Sequence, residues 1–221
     1  MRPQTRLVLA ISLDGRLAPA SGGAAQLGGP GDRRMLEEAL AWADGCLIGA
    51  NTLRLHGTTC LIRDQDLLAH RRAQSRSAQP LAIAVSRSGD LPIDLAFFRQ
   101  PLERWLLHAV LEPQERPADP VAGFARCLPL SSWPEALEAL AAAGLQRLVV
   151  LGGAQLAASL LAADCIDALQ LTVCPQLLGG PHSWVPSAAV LPHGLTGWRC
   201  EQQQLLEGDE LLLRYVRDRA A

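Results

Sequence analysis

Gly152 and Gly153 interrupt the chain where an unbroken apolar run, Leu148–Leu151, gives way to the alanine- and leucine-rich stretch Ala154–Ala163. The run has no polar alternation and predicts a strand buried on both faces; the stretch after it has no breaker and predicts a helix. Glycines at the junction let the backbone turn sharply and leave no side chain in the way. The chemistry such a turn can do is anion binding. Unpaired N–H groups of the first helical turn and the positive end of the helix dipole face outward, and a phosphate can come close to the main chain. The candidate contacts are Gly152, Gly153, Ala154, Gln155 and Leu156. A plain strand-to-helix turn is the competing reading, and the two separate only on what other elements bring to the same cleft.

Those elements are legible in order. Arg6–Ser12 is a β-rich run that ends in the turn signal Leu13-Asp14-Gly15. A glycine-rich loop, Pro19–Gly31, is expected to act as a mobile lid. Asp32 is expected to cap a helix with the apolar stripe Met35, Leu36, Ala39, Leu40 and Ala43, closed at Asp44-Gly45. Cys46–Ala50 is a second buried strand, and Asn51–Gly57 leaves it towards the same edge as Gly152. Residues 63–79 are polar and read as a surface excursion. Leu81–Val85 is a third strand running into Ser86-Arg87-Ser88-Gly89, and Trp105–Leu111 a fourth, followed by a Pro-rich connection over Pro113–Pro120. Ser132-Trp133-Pro134-Glu135 is a capping box for a helix closed by Gly144. Ala168–Cys174 is a further strand, and Trp198–Leu206 and Glu210–Val216 form a hairpin about Glu207-Gly208-Asp209. Strands alternating with helices and closing in a hairpin predict a three-layer α/β fold: a mostly parallel sheet with an antiparallel C-terminal hairpin, as a single domain over residues 1–221.

Composition removes several classes. A net charge of −2 gives no electrostatic case for nucleic acid or a membrane surface. All 20 basic residues are Arg, so mechanisms that need a lysine ammonium, a Walker phosphate loop or a Schiff base, are closed. The six cysteines form no CxxC pair and sit mostly in apolar runs, which reads as buried reduced thiols in a cytoplasmic protein. His70, His108, His182 and His193 have no metal-ligand spacing, so no metal is expected. Neither a signal peptide nor a membrane span is expected.

Four marks in this order, Ser12-Leu13-Asp14-Gly15, Gly49-Ala50-Asn51-Thr52, Leu148–Gly153 and Pro175–Gly180, resemble the reductase domain of riboflavin biosynthesis, a pyrimidine reductase similar in fold to dihydrofolate reductase. The resemblance runs from about Arg6 to the last hairpin. The HxE and PCxxC signature of the zinc deaminase that accompanies this domain in many bacteria is absent, which implies a stand-alone reductase.

The resemblance implies NADPH as cofactor. It places Thr52 at a cofactor contact, Gly153–Leu156 at the cofactor phosphates, and Ser86 and Arg87 at the adenosine end, where an arginine fork and a hydroxyl suit a 2′-phosphate. It places Arg63 on the phosphate of the substrate and makes Asp14 and His56 the titratable candidates near the nicotinamide. The implied reaction is hydride transfer to C1 of an opened N-ribosyl imine. Three substrate positions depart from the family: an Arg is Leu40, an Asp is His56 and a Glu is Leu151. These departures keep two alternatives open, a reductase of the same fold acting on a pterin, dihydrofolate or other small substrate, and a nucleotide-binding protein without catalysis. A homodimer is expected from Leu160, Leu161 and the apolar final strands, and from the family.

Overall fold

Apolar runs become strands nearly residue for residue. A computed structural model describes residues 1–109, 121–192 and 197–219. The connection Pro113–Pro120 and His193 lie outside the described residues. In chain order the elements are β1 (Gln4–Ser12), α1 (Pro30–Trp42), β2 (Gly45–Gly49), α2 (Ala50–His56), α3 (Gln65–Ala73), β3 (Leu81–Ser86), β4 (Arg104–Ala109), β5 (Arg126–Leu130), α4 (Trp133–Ala142), β6 (Arg147–Val150), α5 (Ala154–Ala162), β7 (Ala168–Cys174), β8 (Trp198–Leu205) and β9 (Leu211–Arg217). Among the described residues these nine strands and five α-helices make a mixed α/β fold, mostly parallel with an antiparallel C-terminal hairpin. By chain contacts they divide into two units, Met1–Pro3 with Glu37–Val149 and Gln4–Leu36 with Val150–Ala221.

The unit that contains β2 orders its strands β5-β4-β3-β2-β6. The pairs β2–β3, β3–β4 and β4–β5 are parallel. Leu47, Ile83, Leu106 and Leu148 are wholly buried, as unalternating apolar strands require. The register sets Gly49 opposite Val85, so Ala50–Thr52 and Ser86–Arg87 leave the same end of the sheet side by side. Half of the predicted capping box forms: the Ser132 hydroxyl accepts from Glu135 N at 3.4 Å, while the Glu135 carboxylate accepts the Ser131 hydroxyl and not Ser132 N.

Three features of this unit depart from expectation. Asn51–His56 is not a simple exit from the strand but belongs to α2, ended by Gly57 in the left-handed region. Residues 63–79 are not a surface excursion, because they contain α3 and the buried Arg71. Its guanidinium donates to the carbonyls of Leu40, Ala41, Ala43 and Ser77, closing the C-terminus of α1, which has no basic residue in its own last turn. Finally, β5 has no counterpart in the sequence reading. Its five residues include Pro129, tolerated because β5 is the outermost strand.

The other unit orders its strands β1-β7-β9-β8, with β1–β7 parallel and the last two pairs antiparallel. Here α1 begins at Pro30, so Asp32 lies inside the first turn and is not its cap. The first-turn donors are satisfied from far along the chain: Gly29 N and Asp32 N both donate to the buried carboxylate of Glu210. Leu160 and Leu161, expected on a self-association surface, are 0 % and 4 % exposed within the single chain. The apolar stripe of α5 is consumed by the chain's own core.

Candidate active site

The turn between β6 and α5 has the geometry that anion binding needs. Gly152 has φ 83° and Gly153 φ 30°, both in the region that favours glycine, and a Cβ on Gly152 would lie 2.8 Å from Leu9 Cδ2. Gly153 is the N-cap of α5 and supplies no side-chain cap, while the Leu156 side chain is buried. Leu156 therefore offers a ligand its N–H and not its side chain. The five residues that the sequence reading singled out thus form one strand-to-helix turn, Gly152 and Gly153 leading into the first turn of α5.

In the same unit, Asp14 follows the end of β1. Its carboxylate accepts the Ser12 hydroxyl at 2.6 Å, Leu178 N at 3.0 Å and Gly179 N at 2.8 Å. The Ser12 hydroxyl, then the Leu178 and Gly179 N–H groups, hold Asp14 well below the usual carboxylate range. It stays ionised near neutral pH, so it is a clamp and not a proton donor. Through it, and through Leu13 N donating to Gln176 O at 2.8 Å, the mark at Ser12–Gly15 holds the mark at Pro175–Gly180. Arg16 Nε lies 3.5 Å from Asp14 Oδ2 and is buried without a hydrogen bond. The sequence reading names Ser12 only as part of the Ser12–Gly15 mark and gives Arg16 no role, although both flank the Asp-Gly turn.

In the unit that contains β2, Thr52 stands in the first turn of α2, a helix that has no side-chain cap. His56 is one turn further on the same face, exposed, with no described partner. Ser86 is buried, and its hydroxyl accepts Gly89 N at 3.1 Å, so it shapes the turn that presents Arg87. Arg87 is exposed, and its guanidinium bonds no described residue. Arg63 is exposed and equally unengaged, just before α3. Thr52, Ser86 and Arg87 thus share one sheet end. Leu40, at the position where the family has an arginine, is wholly buried in the core.

A cavity of about 640 Å³ in this unit is lined by Asp44, Arg76, Gln79, Glu103, Trp105 and Gly144 among others, at the N-terminal ends of β2, β3 and β4. That is the wrong end of the sheet for Thr52 and Arg87. Its charged groups are also spent internally, Arg76 on Asp44 at 2.8 Å and Glu103 on the Trp105 indole N–H at 2.7 Å. It is a structural hollow.

Residues 3–207 match the RibD C-terminal domain. The chain belongs to that family. As a RibD C-terminal domain it is 28 % identical over 187 residues, 81 % of each chain, to the 2,5-diamino-6-ribosylamino-4(3H)-pyrimidinone 5′-phosphate reductase of Methanothermobacter thermautotrophicus. Its fold superposes on a pyrimidine reductase-like protein of Corynebacterium diphtheriae with a TM-score of 0.81 at 20 % identity, covering 98 % and 92 % of the two chains. Enterococcus faecalis dihydrofolate reductase is a more distant match, with a TM-score of 0.52 at 14 % identity over 97 % and 96 % of the chains. The dihydrofolate-reductase-like architecture read from the sequence is the one observed, and no helix among the described residues is long and apolar enough to cross a membrane.

Proposed function

We propose that this RibD-type domain is an NADPH-dependent reductase of riboflavin biosynthesis acting on a ribosylaminopyrimidine 5′-phosphate. The observation that carries the reading is the α5 N-terminus: two positive-φ glycines lead into a first turn with no side-chain cap. A dinucleotide's phosphates fit this turn, because no side chain caps its N–H groups and the two glycines carry none of their own. Arg87 fits the additional 2′-phosphate of NADPH as a solvent-facing fork that bonds no described residue, on a turn that Ser86 shapes. Thr52 N–H and hydroxyl are further cofactor contacts.

When bound, the nicotinamide supplies the hydride that reduces C1 of the ring-opened N-ribosyl imine to the ribityl chain. The chain's own residues bind, orient and exclude water. Arg63 holds the substrate phosphate, and its exposed guanidinium, unpaired among the described residues, is suited to that. Asp14 fixes the Pro175–Gly180 loop. His56 is the remaining protonatable group for delivery of a proton to the imine nitrogen, an assignment supported by its exposure and its place on the Thr52 face of α2.

The pyrimidine itself has two forms, with an oxo or an amino group at C2. The resemblance to the reductase domain of riboflavin biosynthesis implies 5-amino-6-(5-phosphoribosylamino)uracil, the oxo form, as substrate. Both curated relatives, at 28 % and 24 % identity, are named for the diamino form, which favours it as substrate. Loss of the reduced nicotinamide's absorbance with each pyrimidine in turn tests the reading, and oxidation with a pterin alone would replace it.

We also place the protein in the cytoplasm, where NADPH and reduced thiols coexist, and infer a homodimer. With Leu160 and Leu161 internal, the dimer rests on the hairpin, whose paired Leu205 and Leu211 are 70 % and 39 % exposed.

A further inference from the structure

Glu37, on α1, is 6 % exposed, and one carboxylate oxygen accepts two backbone donors from a distant segment: Arg63 N at 2.6 Å and Asp64 N at 2.9 Å. Both are charge-assisted bonds to a buried anion. The next residues are fixed as well, since Asp64 caps α3 by accepting Asp66 N at 2.9 Å and Leu67 N at 3.0 Å, and Gln65 Nε2 donates to Arg63 O at 3.2 Å. The Arg63 backbone is therefore held on both sides while its guanidinium bonds no described residue. Burying a carboxylate is costly unless its hydrogen bonds are good, and an apolar residue in its place would leave two backbone donors unpaired.

We propose that Glu37 is a positioning residue: it fixes the backbone from which Arg63 reaches the phosphate of the substrate, so that the cation is placed before substrate arrives. The inference rests on the assignment of Arg63 to that phosphate. A preplaced cation lowers KM for the phosphorylated substrate, and a loosened one loses that advantage without touching the reacting atoms.

The test is a double-mutant cycle in steady-state kinetics with the ribosylaminopyrimidine 5′-phosphate and its dephosphorylated form. Glu37→Ala is expected to raise KM for the phosphorylated substrate about tenfold, with kcat and the KM for NADPH nearly unchanged and no effect on the dephosphorylated form. Glu37→Gln keeps an oxygen for the two N–H groups and should restore most of the loss. In an Arg63→Ala background, Glu37→Ala should add nothing to the phosphate preference. Glu37→Asp, which keeps the charge but withdraws the oxygen by one methylene, should shift KM in the same direction as alanine by a smaller factor. It serves as the decisive variant should the alanine form be poorly folded by its melting curve. Equal effects of the Glu37 variants with and without Arg63, or an unchanged phosphate preference in Glu37→Asp, would overturn the inference while leaving Arg63 in its role. An Arg63→Ala variant with wild-type preference would overturn the Arg63 assignment and this inference with it.

Discussion

Asp14 and Gly179, 165 residues apart in the chain, are joined by a 2.8 Å hydrogen bond from the Gly179 N–H to the Asp14 carboxylate. With the Leu178 N–H on the other oxygen, this turns an ordinary Asp-Gly turn into the clasp that holds the Pro175–Gly180 loop.

A pH dependence follows. The Asp14 carboxyl is held below its ordinary range in the folded protein, first by the Ser12 hydroxyl and then by the loop N–H groups. The folded state thus binds fewer protons than the unfolded state between the two pKa values. The stability Asp14 contributes is complete above the ordinary carboxylate range and is lost as pH falls through the folded value. Asp14→Asn should lower Tm at pH 7, and thermal melts should show the gap from wild type closing as pH drops below the ordinary carboxylate range. A gap that stays constant down to that range would remove the ionised clamp.

Asp32 has the opposite sign. Burial, opposed by a hydrogen bond from Thr172 and reinforced by the charge of Glu210, raises its pKa. Folded Asp32 binds more protons than unfolded, so its contribution is present below the ordinary Asp value and is lost as pH rises through the folded one. Asp32→Asn should melt at a higher temperature than wild type near pH 7 and flatten the slope above pH 4. A lower Tm at every pH would show that the carboxylate is stabilising where it sits.

The cofactor assignment is checked at two positions. Gly153→Val places a β-branched side chain at φ 30° where a phosphate is to approach, and should weaken NADPH binding by about tenfold or more in a protein that still folds. Arg87→Ala should weaken NADPH by about 1.5–3 kcal/mol, roughly tenfold to a hundredfold, and NADH far less. Equal loss for both nucleotides in a titration would take the 2′-phosphate away from Arg87.

Self-association should depend on the hairpin. Leu205→Asp with Leu211→Asp adds charge to two exposed leucines that face each other across β8 and β9, and should convert a dimer to a monomer by light scattering without lowering Tm. A wild-type monomer at micromolar concentration would contradict the dimer.

What the sequence revealed was what is local. Ala168–Cys174 has the bounds of β7, Ser132 caps α4, and the Gly-Gly turn into α5 is where the apolar run and the helix former meet. What it hid depends on partners brought together by folding. Asp32 reads as a helix cap, yet the capping carboxylate is Glu210, 178 residues away. The polar stretch after Arg63 reads as surface because arginines usually are, and only the open carbonyl end of α1 makes a buried Arg71 favourable. The same limit applied at the site: Asp14 was visible as a titratable residue, whereas its role as a clamp required Leu178 and Gly179.

The central claim is tested most directly by the initial rate of NADPH oxidation, with a ribosylaminopyrimidine 5′-phosphate compared against its dephosphorylated form, for wild type and Arg63→Ala. The account predicts turnover with strong preference for the phosphorylated substrate, and in Arg63→Ala a KM for it raised roughly tenfold to a hundredfold at little change in NADPH affinity. A protein that binds NADPH but oxidises it with neither the amino nor the oxo pyrimidine, or that turns over both phosphorylation states equally in wild type, would contradict it.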